Sequence, residues 1–184
     1  VNIRNASPDD ERDILTIFNE GHAVYRAKYP PVQSHMKQAT KSIKAAMIAI
    51  GTSDTSHNKF WVAENVLRTK SGTSHEKGHR QGRETIGCVS MRKTTSTDKK
   101  GHDRDIGILS HLSVREECRG QGVGTALVQK IIGVAAADGC RAIELTTLAD
   151  MKAARSLYVT LGFQERDVVD IGHGCKLVHM NMQL

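Results

Sequence analysis

The chain has 184 residues, 39% of them apolar and 25% charged, with a formal charge of +6. That is enough chain for one domain with a real core. No run of eighteen apolar residues exists, the longest being Ile131 to Ala137, so nothing in the sequence reads as a membrane-spanning helix.

The charge is uneven. Residues 68–104 hold ten Lys/Arg and four Asp/Glu, while the rest holds sixteen of each. No aromatic residue is interleaved there for base stacking, so the tract reads as solvated loop, and no nucleic acid is expected as a partner. Cys88, Cys118, Cys140 and Cys175 show no CxxC spacing and read as separate reduced thiols, with the cytosolic face as the default compartment. The chain begins at Val1 rather than Met. An anchor removed from the N-terminus, and with it membrane association, is the alternative.

Val1 to Arg4 forms a short first strand. Ser7-Pro8-Asp9-Asp10 is a helix start, with Ser7 as N-cap, Pro8 at the first helical position and acids in the first turn. Ile14, Leu15 and Phe18 give that helix one apolar face. Pro30-Pro31 breaks the chain, and Met36, Ile43, Met47 and Ile50 share one side of a second helix that Gly51 can close. Phe60 to Glu64 and Ile86 to Met91 read as strands. Between them, over about 68–84, lies a link rich in Gly, Ser, His and charge, and a second polar insertion, about 94–104, leads to an apolar strand from Ile106 to Val114.

The first link contains His75-Glu76-Lys77-Gly78-His79, which fits H-E-x-x-H. Zinc chemistry of that type needs the histidines one turn apart on a buried helix, whereas glycines at 72, 78 and 82 and the near absence of apolar residues describe a loop. The match reads as chance, and no metal is expected.

After the central strand, Leu127, Val128, Ile131, Val134 and Ala135 share one face of a helix from Thr125 to Asp138, ended by Asp138-Gly139. Ala142 to Thr147 is again a strand, so strand, helix and strand form a right-handed parallel crossover. A helix from about Asp150 to Leu161, closed by Gly162, and an antiparallel hairpin, Phe163 to Val169 with Lys176 to Met182, complete the chain. No repeat or second domain is seen, and residues 1–184 read as a single α/β (α+β) domain.

Between central strand and helix lies Arg119-Gly120-Gln121-Gly122-Val123-Gly124. Glycines in this place let a ligand approach the backbone, and consecutive N–H groups at a helix N-terminus make an anion site. The turn lacks the Gly-Lys-Ser/Thr ending of a P-loop, and its glycines are not spaced G-x-G-x-x-G. The pattern Arg-x-x-Gly-x-Gly, preceded by Leu112-Ser113-Val114 and followed by Ala154 to Phe163, A-R-S-L-Y-V-T-L-G-F, resembles the GNAT superfamily of acyl-CoA N-acyltransferases. His-Leu-Ser-Val before the motif, Phe-Trp-Val-Ala-Glu at Phe60 to Glu64 and the lack of Asn at Met151 resemble its camello-like branch, whose members usually carry a membrane helix early in the chain.

The resemblance implies a mixed, mostly antiparallel sheet of about six to seven strands with a splayed parallel pair and about four flanking helices. It implies an acyl-CoA-binding core at 106–163, with Leu112, Ser113 and Val114 presenting main-chain groups to pantetheine and Arg119, Gly120, Gln121, Gly122, Val123, Gly124 and Thr125 holding the pyrophosphate. The first two helices would wall the acceptor pocket. Tyr158 would be the general acid for the departing thiolate, and His111, Glu144 or a water relay are the candidates for the base. Where many relatives carry Asn seven residues before the tyrosine, this chain has Met151, with Asp150 or Thr147 left to start the helix. The expected activity is acetyl transfer from acetyl-CoA directly to a primary amine of a small molecule or a peptide or protein, by a monomer or homodimer. The alternative is a domain that binds acyl-CoA without turnover.

Overall fold

The computed structural model of the chain describes residues 1–50, 58–66, 83–97, 101 and 103–184. Seven strands, β1 (Asn2–Asn5), β2 (Lys59–Val66), β3 (Arg83–Thr97), β4 (Asp103–Val114), β5 (Ala142–Leu148), β6 (Gln164–Asp170) and β7 (Lys176–Gln183), form one sheet in the order β1-β2-β3-β4-β5-β7-β6. Every neighbouring pair is antiparallel except β4 and β5. The helices are α1 (Glu11–Lys28), α2 (Pro30–Ala49), α3 (Val123–Ala137) and α4 (Lys152–Thr160). Among the described residues no helix is long and apolar enough to cross a membrane.

The apolar periodicities define two core layers. Leu127, Val128, Ile131 and Ala135 of α3 are fully buried with Ile143, Leu145, Tyr158 and Phe163, while Ile14 and Phe18 of α1 and Met36, Ile43 and Met47 of α2 pack with Phe60, Val62 and Leu148. Each large aliphatic or aromatic side chain buried in this way contributes about 1.5–3 kcal/mol. Close approach of α3 depends on Gly87 in β3, where a Cβ would stand 3.1 Å from both Leu127 and the Ser113 carbonyl.

At the N-terminus Ser7 takes the N-cap place expected of it, and the helix start is held from the other side by Asp10. Its carboxylate accepts from the Ser7 N–H at 2.7 Å, the Ser7 hydroxyl at 3.0 Å and two Arg4 nitrogens at 2.7 Å, and Arg4 Nε also donates to Glu64. A 3₁₀ turn, Pro8–Asp10, precedes α1. Asp10, one of the two acids foreseen there, is thus joined through Arg4 of β1 to Glu64 of β2.

The strands β3 and β4 are longer than their apolar stretches suggest. The supposed polar insertion at 94–104 is corrected in its flanks, since Thr94 pairs with Ile106 and the ladder continues to Thr97 opposite Asp103. A two-stranded ribbon exposed on both faces has no buried side to impose an apolar alternation, while β-branched threonines favour extended backbone. Arg83 and Glu84, assigned to the first insertion, likewise pair with Val66 and Asn65 of β2. The rest of that insertion, the His75–His79 motif and Gly51 lie outside the described residues.

Two irregularities in β4 create the site. Pairing with β5 is confined to Ile106–Ile108 against Ala142–Glu144, so the strands part beyond Ile108. On the other edge, Ser90 pairs with Ser110 and Cys88 with Ser113, which leaves one β3 residue opposite His111 and Leu112. His111 carries the extra residue of this bulge at φ 56°, left-handed backbone that is uncommon outside glycine.

Candidate active site

A cavity of about 890 Å³ opens where β4 and β5 separate. One wall is α1 and α2, with Phe18, His22, Val32, His35 and Gln38; the other is Met151, Ala154 and Tyr158. Between them the sheet supplies His111, Leu112, Glu144 and Thr146, and a wing reaches Arg92, Arg166 and Asn181. Of the residues singled out by sequence, His111, Leu112, Glu144 and Tyr158 therefore meet in one cavity. Ser113, Val114 and the turn from Arg119 to Thr125 are not among its lining.

That turn sits past the end of β4. Gly120 and Gly122 have φ of 72° and 80°, and a Cβ built on either meets nothing within 4 Å, so the backbone faces open space. The first N–H groups of α3, those of Val123, Gly124 and Thr125, have no acceptor within the helix. Free N–H groups at the start of α3, with the helix dipole behind them, fit a pyrophosphate. Arg119 Nε donates to the Val114 carbonyl at 3.1 Å and Gln121 Nε2 to the Glu117 carbonyl at 2.8 Å, which fixes the turn against its own strand. Gly124 does something different. Its Cβ would come within 3.2 Å of Leu157 on α4, so it lets α3 pack beside the helix that carries Tyr158.

Tyr158 is 5% exposed and packs edge-on against Phe163 at 5.6 Å between centroids. Burial pushes its hydroxyl pKa above the ordinary tyrosine value, so at neutral pH it holds its proton. His111 lies between the rings of Phe18 and Phe60, 5.3 and 5.2 Å away, with Nδ1 2.7 Å from Ser90 Oγ. Burial first, then the nearby His35 and His22, push its pKa down to about 4. His111, one of the candidate bases named from sequence, is thus a neutral, weakly basic imidazole. His22, whose Nδ1 lies 2.9 Å from the Phe18 carbonyl, is also held below the usual histidine range, by burial first and then by His35.

Cys88 is fully buried, its thiol pushed up to about 12 by burial, and its Sγ donates to the His111 carbonyl at 3.4 Å. It supports the bulge and offers no thiolate. Ser113 Oγ is the one buried side-chain polar atom among the described residues that lacks a hydrogen-bond partner.

At the cavity rim, Asp150 accepts from the Tyr29 hydroxyl at 2.5 Å and from Lys28 Nζ at 2.6 Å. It is thereby taken from the helix-starting role open to it in the sequence. Met151 occupies the N-cap position of α4 with no side-chain cap bond, and Thr147 Oγ1 donates to its sulfur at 3.6 Å.

Sequence reasoning missed His22, His35, Arg92, Arg166, Asn181 and the Tyr29–Asp150 tie. A usable signal existed for one group. In β5 and β7 the polar residues Glu144, Thr146, His179 and Asn181 alternate with Ile143, Leu145, Val178 and Met180, which marks a polar sheet face.

Comparison with known proteins agrees with the fold. Residues 45–163 match the Acetyltransferase (GNAT) family. The chain is 30% identical over 165 residues to the thialysine N-epsilon-acetyltransferase of Bos taurus, covering 90% of this chain and 85% of that one. It is 35% identical over 83 residues to the probable N-acetyltransferase camello of Xenopus laevis, covering 45% and 35% respectively. With 38% of human N-acetyltransferase 8B covered as well, the chain spans about a third of these latter relatives. The protein yncA from Salmonella typhimurium, solved with its cofactor acetyl-CoA, superposes with a TM-score of 0.60 at 21% identity, covering all of this chain and 93% of that one.

Proposed function

The chain belongs to the GNAT family of acetyltransferases, and on that premise we propose that it transfers the acetyl group of acetyl-CoA to a primary amine in the cavity between β4 and β5. The observation that carries the reading is the convergence of Tyr158 and His111 on the opening where the two strands part, with the glycine turn beyond the end of the same strand. Acetyl-CoA supplies an activated thioester. The N–H groups of residues 120–125 hold its pyrophosphate, and the β4 edge beyond Ile108, which has no β5 partner, offers main-chain groups of Leu112, Ser113 and Val114 to its arm.

Tyr158 keeps its proton for the departing thiolate. His111 acts on the amine. With the Ser90 hydroxyl donating to the Ser110 carbonyl, Nδ1–H of His111 donates to Ser90 Oγ and Nε2 is left as acceptor. A base this weak cannot strip an ammonium ion, so the acceptor enters as the free amine and His111 takes its proton only as the C–N bond forms. Glu144 stands on the section of β5 that is still paired with β4, away from the opening, which favours His111 over Glu144 as the proton acceptor.

Release of free thiol from acetyl-CoA in the presence of amines is the direct measurement. Tyr158→Phe removes one oxygen and keeps the ring, so kcat should fall on the order of 100-fold while acetyl-CoA affinity holds. Wild-type turnover in that variant would remove Tyr158 from the acid role. No thiol release with any amine would favour acyl-CoA binding without catalysis.

A further inference from the structure

The bulge that carries His111 is gripped from β3. A φ of 56° is costly for a residue with a Cβ and persists only where the surroundings over-determine it. Cys88 and Ser90, two apart on one face of β3 and both 0% exposed, meet His111 at different atoms. Cys88 Sγ donates to its carbonyl at 3.4 Å, and Ser90 Oγ lies 2.7 Å from its Nδ1. The Ser90 proton is already satisfied by the Ser110 carbonyl at 3.2 Å, so the imidazole engages a lone pair that packing alone does not call for.

The other ring nitrogen is left open. Nε2 of His111 has no hydrogen-bond partner among the described residues, where Ser113 Oγ is the one buried side-chain polar atom without a partner. Nε2 is therefore not sealed in the core but reaches the cavity that His111 lines.

We propose that Ser90 is a positioning residue for acetyl transfer: by accepting from Nδ1–H of His111 it keeps the Nε2 lone pair on the cavity, ready for the proton of the attacking amine. The proposal rests on the transferase reading above and adds a residue that never touches substrate. As the C–N bond forms, the electron pair of the amine N–H bond stays on nitrogen and the proton passes to Nε2. The C–S bond then breaks, its electron pair leaves on sulfur, and the sulfur takes the Tyr158 proton. Imidazolium and tyrosinate are reset through solvent. Without the Ser90 oxygen, Nδ1–H would be buried with no acceptor, whereas a proton on Nε2 could bond to water in the cavity. The tautomer then reverses, and the nitrogen that faces the amine becomes a donor.

Long-range ¹H–¹⁵N correlation of the imidazoles reads the tautomer without any substrate, at pH 7, where His111 is neutral because burial pushes its pKa down to about 4. The His111→Asn variant identifies the signal. The proton should sit on Nδ1 in wild type, on Nε2 in Ser90→Ala, and again on Nδ1 in Ser90→Thr, which keeps the hydroxyl. Ser90→Cys, close in size and a poorer acceptor, replaces the alanine variant if that one does not fold. Turnover is read in a double-mutant cycle: Ser90→Ala and His111→Asn should each slow kcat about tenfold, and the double variant about tenfold rather than 100-fold, since one acts only through the other. A wild-type proton on Nε2, a tautomer unmoved by Ser90→Ala, or losses that multiply in the double variant overturns the proposal while sparing the transferase reading. Absence of thiol release in wild type alongside the tautomer reversal does the opposite: it removes the transferase reading and leaves Ser90 as the residue that sets the tautomer.

Discussion

On the reading proposed above, the donor and acceptor ends of the site are built by different means. The donor end is backbone: a strand edge left without a partner beyond Ile108 and a glycine turn with φ of 72° and 80° at Gly120 and Gly122. The acceptor end is side chain, drawn from α1, α2, β3, β5, β6 and β7. Backbone recognition needs particular residues at fixed spacing within one continuous stretch, so it leaves a motif. Side-chain recognition scatters its residues over the chain, so the acceptor end changes from protein to protein without disturbing the donor end.

The largest way to break this division is at the glycine turn. Gly122→Asp keeps a residue type that tolerates left-handed backbone but sets a carboxylate over the anion site. Like charges brought together cost several kcal/mol, so acetyl-CoA affinity should drop by on the order of 100-fold or more, and its thermal stabilisation of the protein should vanish. A thermal shift as large as wild type would show that the pyrophosphate sits elsewhere.

Below that in size is the Arg4–Asp10–Glu64 cluster, which fixes α1, the wall of the acceptor end, to the sheet edge. Burial alone would raise the Asp10 pKa, but hydrogen bonds from Arg4 and then Ser7, with the Arg4 charge, outweigh it and hold the carboxyl below its usual range. A depressed carboxylate stabilises the fold above its unfolded pKa of ~3.9, and that contribution is lost as pH falls through the lower folded value. Asp10→Asn should cost about 2 kcal/mol at pH 7 and flatten the acid limb of stability below about pH 4. Urea titrations of both proteins across that range check it; parallel curves would mean that Asp10 is not what the acid limb reports.

His111 gives a smaller effect with a sharper signature. A base with a pKa of about 4 is already neutral across the working range, so the rise of kcat/KM with pH should follow the acceptor amine and not the imidazole. His111→Asn, which tolerates the positive φ, should slow turnover about tenfold, at the low end for a general base because the imidazole is a weak one, and leave the apparent pKa of the profile where it was. A profile whose midpoint moves in this variant would assign the rise to His111.

What was readable from sequence follows the same division. The run from β4 through α4 was legible because each piece is local: apolar alternation, a glycine turn, one buried helix face, then Leu161-Gly162-Phe163. The bulge at His111 was not, since nothing in His-Leu-Ser-Val marks an extra residue until β3 is laid beside it. Nor was the extension of β3 and β4 past Thr94, where both ribbon faces are polar. Arg92 and Glu144 become neighbours in one row only through pairing between β3, β4 and β5. Gly87, an unremarkable glycine in sequence, turns out to be where α3 presses on the sheet.

The smallest effect expected is at the rim, where the donor and acceptor ends are tied to each other. Tyr29 stands in extended backbone between α1 and α2, before Pro30, and is 7% exposed although it sits at a chain turn. Its hydroxyl and Lys28 both reach Asp150 at the start of α4, the helix that carries Tyr158. The Lys28 hydrogen bond first, then that of Tyr29, lower the Asp150 pKa, so the carboxylate stays ionised and the tie holds at neutral pH. Tyr29→Phe deletes one hydrogen bond and leaves the ring packed. The wall that bears Val32 and His35 then loses a fixed distance to the wall that bears Met151 and Tyr158, and acceptor binding, which uses both, weakens. Acetyl-CoA binding relies on the glycine turn and the β4 edge, which the tie does not touch. KM for the amine should therefore rise roughly two- to tenfold, the range of one net hydrogen bond, with acetyl-CoA affinity and kcat near wild type. If acetyl-CoA affinity fell in step with acceptor affinity, the tie would be holding α4 against the sheet for both substrates, and the separation of the two ends would end at Asp150.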